Sequence, residues 1–108
     1  MHKQNPCIAS QRASAAFLNW LDRHAPVIRN NVKEADISVT LTGGVILRFH
    51  ELKTSQEVYV IFEDGTMAVK RFKAVNLIFE NPTEDNYQQA LTAIIDIYSL
   101  LNKDGLPY

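Results

Sequence analysis

The sequence predicts a two-layer α+β domain: an antiparallel sheet of four strands, with five as the alternative, covered on one face by an N-terminal and a long C-terminal helix. Three observations predict it. Residues 36 to 80 break into short alternating runs rich in Val, Ile, Tyr and Phe, separated by turn residues. The segments before and after that stretch repeat their apolar residues at helical spacing. A chain of 108 residues at 46% hydrophobic suits one domain, residues 1–108, with a real core. The expected order is α-β-β-β-β-α.

The first helix can start at Asn5-Pro6 or later at Ser10, since Pro suits the first helical position and Asn or Ser the cap. Ala13, Ala16, Phe17, Trp20, Leu21 and His24 form one face. Pro26 should end or kink this helix, because it lacks the N–H and clashes with the preceding turn. A short helical piece from Pro26 to Val32 would bury Val27, Ile28 and Val32.

Ile37–Leu41 and Val45–Phe49 make the first hairpin. A two-residue Gly43-Gly44 turn would set Val39 against Arg48. A three-residue loop, Thr42-Gly43-Gly44, pairs Leu41 with Val45, Val39 with Leu47 and Ile37 with Phe49, all apolar. A one-residue slip flips every side chain, so burial selects the longer loop, with Gly44 in the left-handed region closing a bulge. A four-residue loop, Lys53–Gln56, then pairs Phe49 with Val60 and Leu47 with Phe62. Asp64-Gly65 is a two-residue hairpin turn that pairs Phe62 with Met67, Val60 with Val69 and Val58 with Arg71. The buried face is then Ile37, Val39, Leu41, Val45, Leu47, Phe49, Val58, Val60, Phe62, Met67 and Val69. Val75–Phe79 reads as a bulged continuation of the fourth strand, or else a fifth strand. Asn81 is expected to cap the last helix, with Pro82 first and Glu84 reaching back. That helix should run to about Asn102, pack through Leu91, Ile94 and Tyr98, and stop at Asp104-Gly105.

Two helices cover one sheet face and leave the other open. In the register above, the open face carries Asp36, Ser38, Thr40, Ile46, Arg48, His50, Tyr59, Ile61, Ala68, Lys70 and Phe72. Asp36, His50, Tyr59 and Lys70 would form one row across it, and Ser38, Arg48, Ile61 and Ala68 the next. The residues expected to bind are Ile46, Arg48, His50, Tyr59, Ile61, Lys70 and Phe72. They make the face too apolar for free solvent, which points to protein–protein contact, with a homodimer as the simplest form.

The alternative is a small-molecule or acid–base site around Asp36, His50 and Tyr59, in which the carboxylate orients the imidazole and the phenol relays a proton. No nucleophile, oxyanion hole or cleft can be read, so enzymatic activity is not the leading expectation. Nucleic-acid binding would use Tyr59, Phe72, Arg48, Lys70 and Lys73, but a net charge of −1 argues against it. The charge is uneven. Residues 1–54 carry seven basic and four acidic side chains, residues 55–108 four and eight, which suits orienting a partner.

No metal or cofactor is expected, since Cys7, His2, His24 and His50 lack ligand spacing. His24 reads as partly buried, and Cys7 as a small apolar helix residue. As a lone cysteine, Cys7 forms no intramolecular disulfide, which favours a reducing, cytoplasmic setting. Gln11 and Arg12 interrupt any secretory leader, and no apolar run approaches the ~20 residues of a membrane helix.

Overall fold

The computed structural model describes residues 5–53, 55–71 and 74–98. Helix α1 spans Ile8–His24 and α2 spans Pro26–Asn31. A single 3-10 turn, Glu34–Asp36, leads into strand β1, Ile37–Val39. Strands β2 (Val45–Glu51), β3 (Gln56–Glu63), β4 (Thr66–Arg71) and β5 (Ala74–Glu80) follow, then helix α3, Glu84–Ile95. The strands form one antiparallel meander in the order β1-β2-β3-β4-β5, so the sheet has five strands. Residues 74–80 are therefore a strand of their own rather than a continuation of β4.

The helices pack on the face that alternation selected. Val45, Leu47, Phe49, Val58, Val60, Phe62, Met67 and Val69 are buried there against Phe17, Trp20 and Leu21 of α1, Ile28 of α2, and Ala90, Leu91, Ile94 and Ile95 of α3. Phe17 is the hub. Its ring lies 5.7 Å from Phe62 and 5.2 Å from Tyr87 between centroids, the latter edge-on, an arrangement aromatic pairs favour.

The third hairpin has the expected register: Phe62 pairs with Met67, Val60 with Val69 and Val58 with Arg71, with Asp64 and Gly65 at positive φ. The first two connections differ from expectation by two residues each. Val39 pairs with Val45 and Ile37 with Leu47, so the β1–β2 loop holds five residues, Thr40–Gly44. The Thr40 hydroxyl accepts the Gly44 N–H at 2.7 Å, and the Gly43 carbonyl accepts the Cys7 N–H at 2.8 Å. These bonds draw Thr40 out of the ladder, as short polar side chains do when they bind nearby backbone. Gly43, not Gly44, takes the positive φ of 87°. Leu41 leaves the core and is 92% exposed, Ile37 is 39% exposed and Val39 is half-buried, on an edge strand paired only with β2.

The β2–β3 loop starts at Leu52, not Lys53, and Phe49 pairs with Val58 and Leu47 with Val60. Ser55 has a φ of 55°, and Gln56 stays in the strand, where its side chain accepts from Arg71 at 2.7 Å.

Helix α1 is capped by Cys7 rather than Asn5 or Ser10, because the bond to Gly43 fixes Cys7 in extended geometry. Its thiol meets the Ser10 hydroxyl at 3.1 Å, so Cys7 is an exposed cap and not a core residue. Ala16 and His24 are exposed as well, and His24 stacks on Trp20 at 4.5 Å. Thr83, not Asn81, caps α3, exchanging bonds with Asn86. Asn81 instead has a φ of 47° and donates its N–H to the Gly65 carbonyl, completing a turn.

Helix α3 ends at Ile95 rather than near Asn102. Its last bonds tighten to three-residue spacing at Ile97 and Tyr98, and Arg71 holds Asp96 at 3.6 Å. The expected stop at Asp104-Gly105 lies outside the described residues, as do Phe72 and Lys73.

Candidate interaction face of the sheet

The shift at the β1–β2 and β2–β3 connections is an even number of residues. It preserves which side chains share a face and changes which are neighbours. The central row of the open face is Ser38, Ile46, Ile61, Ala68 and Ile78. One row away lie Arg48, Tyr59, Lys70 and Val75. On the other side, Glu63, Thr66 and Glu80 lie side by side across β3, β4 and β5. Ile78 is 64% exposed and Val75 51%, while Ile46 and Ile61 are half-buried by their neighbours. Val75, Ile78, Glu63 and Glu80 were not among the expected binding residues. Alternation in residues 75–80 would have found Ile78 and Glu80 had that run been read as a separate strand; Val75 joins them only through the irregularity opposite Val69 and Lys70.

The expected row of Asp36, His50, Tyr59 and Lys70 does not form. His50 sits opposite Glu57, and Arg48 takes the place beside Tyr59. Asp36 is buried just ahead of β1. One oxygen accepts from Arg48 Nη2 at 2.9 Å and Nε at 3.2 Å and lies 3.4 Å from His50 Nε2. The other accepts the Lys33 N–H at 2.9 Å. Burial pushes this carboxyl up, but the Lys33 N–H, the Arg48 bonds and the charge of His50 outweigh it and hold it below the usual aspartate value.

Asp36 and His50 are thus brought together, and Tyr59 is not. The Tyr59 phenol donates to Glu57 at 2.5 Å, and that bond, with burial and the Glu57 charge, raises its pKa. Glu57 also lies 3.8 Å from Arg48 Nη1. Sequence reasoning missed Glu57, although it shares Tyr59's face. Among the described residues the Lys70 side chain makes no ion pair or hydrogen bond, in contrast to that of Arg48.

The concave sites are small. A cleft of about 180 Å³ lies between His50, Leu52, Ser55 and Glu57. One of similar size is lined by Asn31, His50 and Tyr98. Burial and the charge of Glu51 push the Tyr98 phenol up to about 12. A third, of about 280 Å³, lies at the Gly65 end of the sheet between Ser10, Ala13, Glu63, Thr66, Pro82 and Tyr87. Ligand pockets run from roughly 300 to 1,000 Å³, so all three fall short.

Among the described residues no group of three or more His, Cys, Asp or Glu is placed to hold a metal ion. No helix among them is long and apolar enough to cross a membrane. Comparison with protein-family models, curated proteins and solved structures found no match.

Proposed function

We propose that this chain is a non-catalytic binding module that uses the open face of its sheet to associate with protein. The observation that carries the reading is the apolar row Ile46-Ile61-Ala68-Ile78, set directly across four adjacent strands between two polar rows. Contiguous apolar surface with a polar rim is how interfaces are built, and scattered single exposures are not. Arg48 and Tyr59 flank the row, and both residue types are favoured at interface centres.

Ile61→Lys tests the reading. Ile61 sits in the middle of the row and points away from the helices, so the variant should keep its circular dichroism and melting curve. An unpaired ammonium in a desolvated interface is costly, so association measured by sedimentation or light scattering should be lost. A wild-type chain that stays monomeric at millimolar concentration, with Ile61 and Ile78 methyl groups fully accessible to a soluble paramagnetic probe, would overturn the proposal. A variant that unfolds outright would mean that the core and open faces are reversed.

A further inference from the structure

Resting on the reading that the open face binds protein, we infer that its partner is a second copy of this chain, packed face to face about a two-fold axis that runs along the Ile46-Ile61-Ala68-Ile78 row.

A face-to-face two-fold pair needs its axis in the plane of the interface, and stacked sheets keep their strands within about 30° of each other. With the axis through Ile61, at the centre of the face, two directions satisfy this: along the strands or across them. An axis along β3 keeps each row in place and exchanges β2 with β4. It would set Arg48 of one copy over the second copy's Lys70 and Glu63 over the second copy's Glu63, like charge on like. An axis across the strands, along the apolar row, keeps each strand over itself and exchanges the two flanking rows.

Residues equally spaced about the row then meet. Tyr59 and Glu63 flank Ile61 on β3, and Lys70 and Thr66 flank Ala68 on β4. Lys70 therefore comes over the second copy's Thr66, which stands between Glu63 and Glu80 in the neighbouring strands. Lys70, whose side chain has no partner among the described residues, enters between two carboxylates, and the two-fold axis makes the contact twice. On β2, Arg48 and Gly44 flank Ile46, so Arg48 with its bound Asp36 comes over a position without a side chain. Tyr59 comes over the second copy's Glu63 and Val75 over its Glu80, so no rim contact sets like charge on like.

The expected size is consistent with a dimer of modest affinity. Five strands about 4.8 Å apart and seven residues at about 3.3 Å each project to roughly 500 Å² per copy. Standard interfaces bury about 800 Å² of accessible surface per partner, so this one lies toward the small end.

A charge-exchange experiment tests the orientation. Lys70→Glu alone should weaken self-association by roughly tenfold or more, because it opposes the second copy's Glu63 and Glu80. The double variant Glu63→Lys/Glu80→Lys should do the same, because it opposes the second copy's Lys70. Mixed in equal amounts, the two proteins should form a heterodimer close to wild-type affinity, since both contacts are then oppositely charged. Glu63 also accepts the Thr40 hydroxyl at 3.5 Å, so Glu80→Lys alone replaces the double variant if the latter loses its fold. Sedimentation velocity on each protein and on the mixture reads the result. If the mixture associates no better than its components while Ile61→Lys still dissociates the wild type, the orientation is wrong and the binding face stands. If the wild type shows no association at all, this inference falls.

Discussion

Gly44→Ala probes how the β1–β2 loop is seated. A Cβ at this position would lie 2.9 Å from the Phe62 carbonyl oxygen, 3.0 Å from the Thr40 hydroxyl and 3.1 Å from Glu63 Cβ. The Phe62 carbonyl belongs to a central strand paired on both sides and cannot retreat. Overpacking of this kind costs about 1–3 kcal/mol, and the smaller entropy of the unfolded alanine chain returns about 0.4–1 kcal/mol. The net loss should be roughly 1–2 kcal/mol, several degrees in Tm for a domain of this size. Gly43→Ala should cost a similar amount for a different reason. Its φ of 87° lies in the left-handed region, where an L side chain costs about 1–2 kcal/mol. The two mechanisms separate in a Thr40→Ala background. Removing the hydroxyl relieves one of the contacts at 44 and none at 43, so Thr40→Ala should couple to Gly44→Ala by about 0.5 kcal/mol or more and add independently to Gly43→Ala. Urea denaturation followed by circular dichroism, with a constant m-value, measures all five proteins. A Gly44→Ala variant within about 0.5 kcal/mol of wild type would refute the close approach of this loop to β3.

Ile94→Ala empties a fully buried site where α3 meets the sheet and should cost roughly 2–5 kcal/mol in the same assay. A loss below half a kcal/mol would mean that α3 does not pack through this residue. The Asp36 carboxyl lies below its ordinary value in the folded chain, so its stabilising contribution is present above that value and is lost as pH falls through the folded pKa. Urea resistance should therefore drop on acidification below about pH 4, and Asp36→Asn should flatten that part of the profile; an unchanged slope would remove Asp36 from the account.

Side-chain period and turn chemistry made different parts of this fold legible. Val45 through Val69 alternate so regularly that the core face of β2, β3 and β4 follows from period two alone. Asp64-Gly65 fixed its hairpin register because the turn is set by its own two residues. The other two connections are set by side-chain bonds and by contacts from elsewhere in the chain. Thr40 binds Gly44, Cys7 binds Gly43, and Gln56 is held by Arg71, a residue of β4. No local pattern announces those bonds, and the resulting error of two residues kept the faces while placing His50 where Arg48 belongs. The separate strand β5 was hidden for a related reason: no Gly, Pro, Asn, Asp or Ser stands between Arg71 and Val75 in the sequence to signal a turn. Asn81-Pro82 misled in the opposite direction, since a good cap was spent on the turn against Gly65.

The cluster around Asp36 bears on how the open face works. A general base must be free to accept a proton, and Asp36 is committed on both oxygens, to Arg48 and to the Lys33 N–H. Its lowered pKa moves it further from neutrality, where a base is most useful. Tyr59, the proposed relay, is turned to Glu57 and held in its protonated form. The same commitments favour an interface. Charges already paired within one chain, with their side chains fixed, lose less hydration and less rotamer freedom on contact than free ones. Arg48, Asp36, Glu57 and Tyr59 can thus be covered with their bonds intact. The selective contacts between copies then fall to Lys70, Glu63 and Glu80, the charged groups on the face that form no ion pair among the described residues. The proposed dimer is accordingly most sensitive to charge at these three positions, and comparatively insensitive to the more conspicuous Asp36–His50 pair.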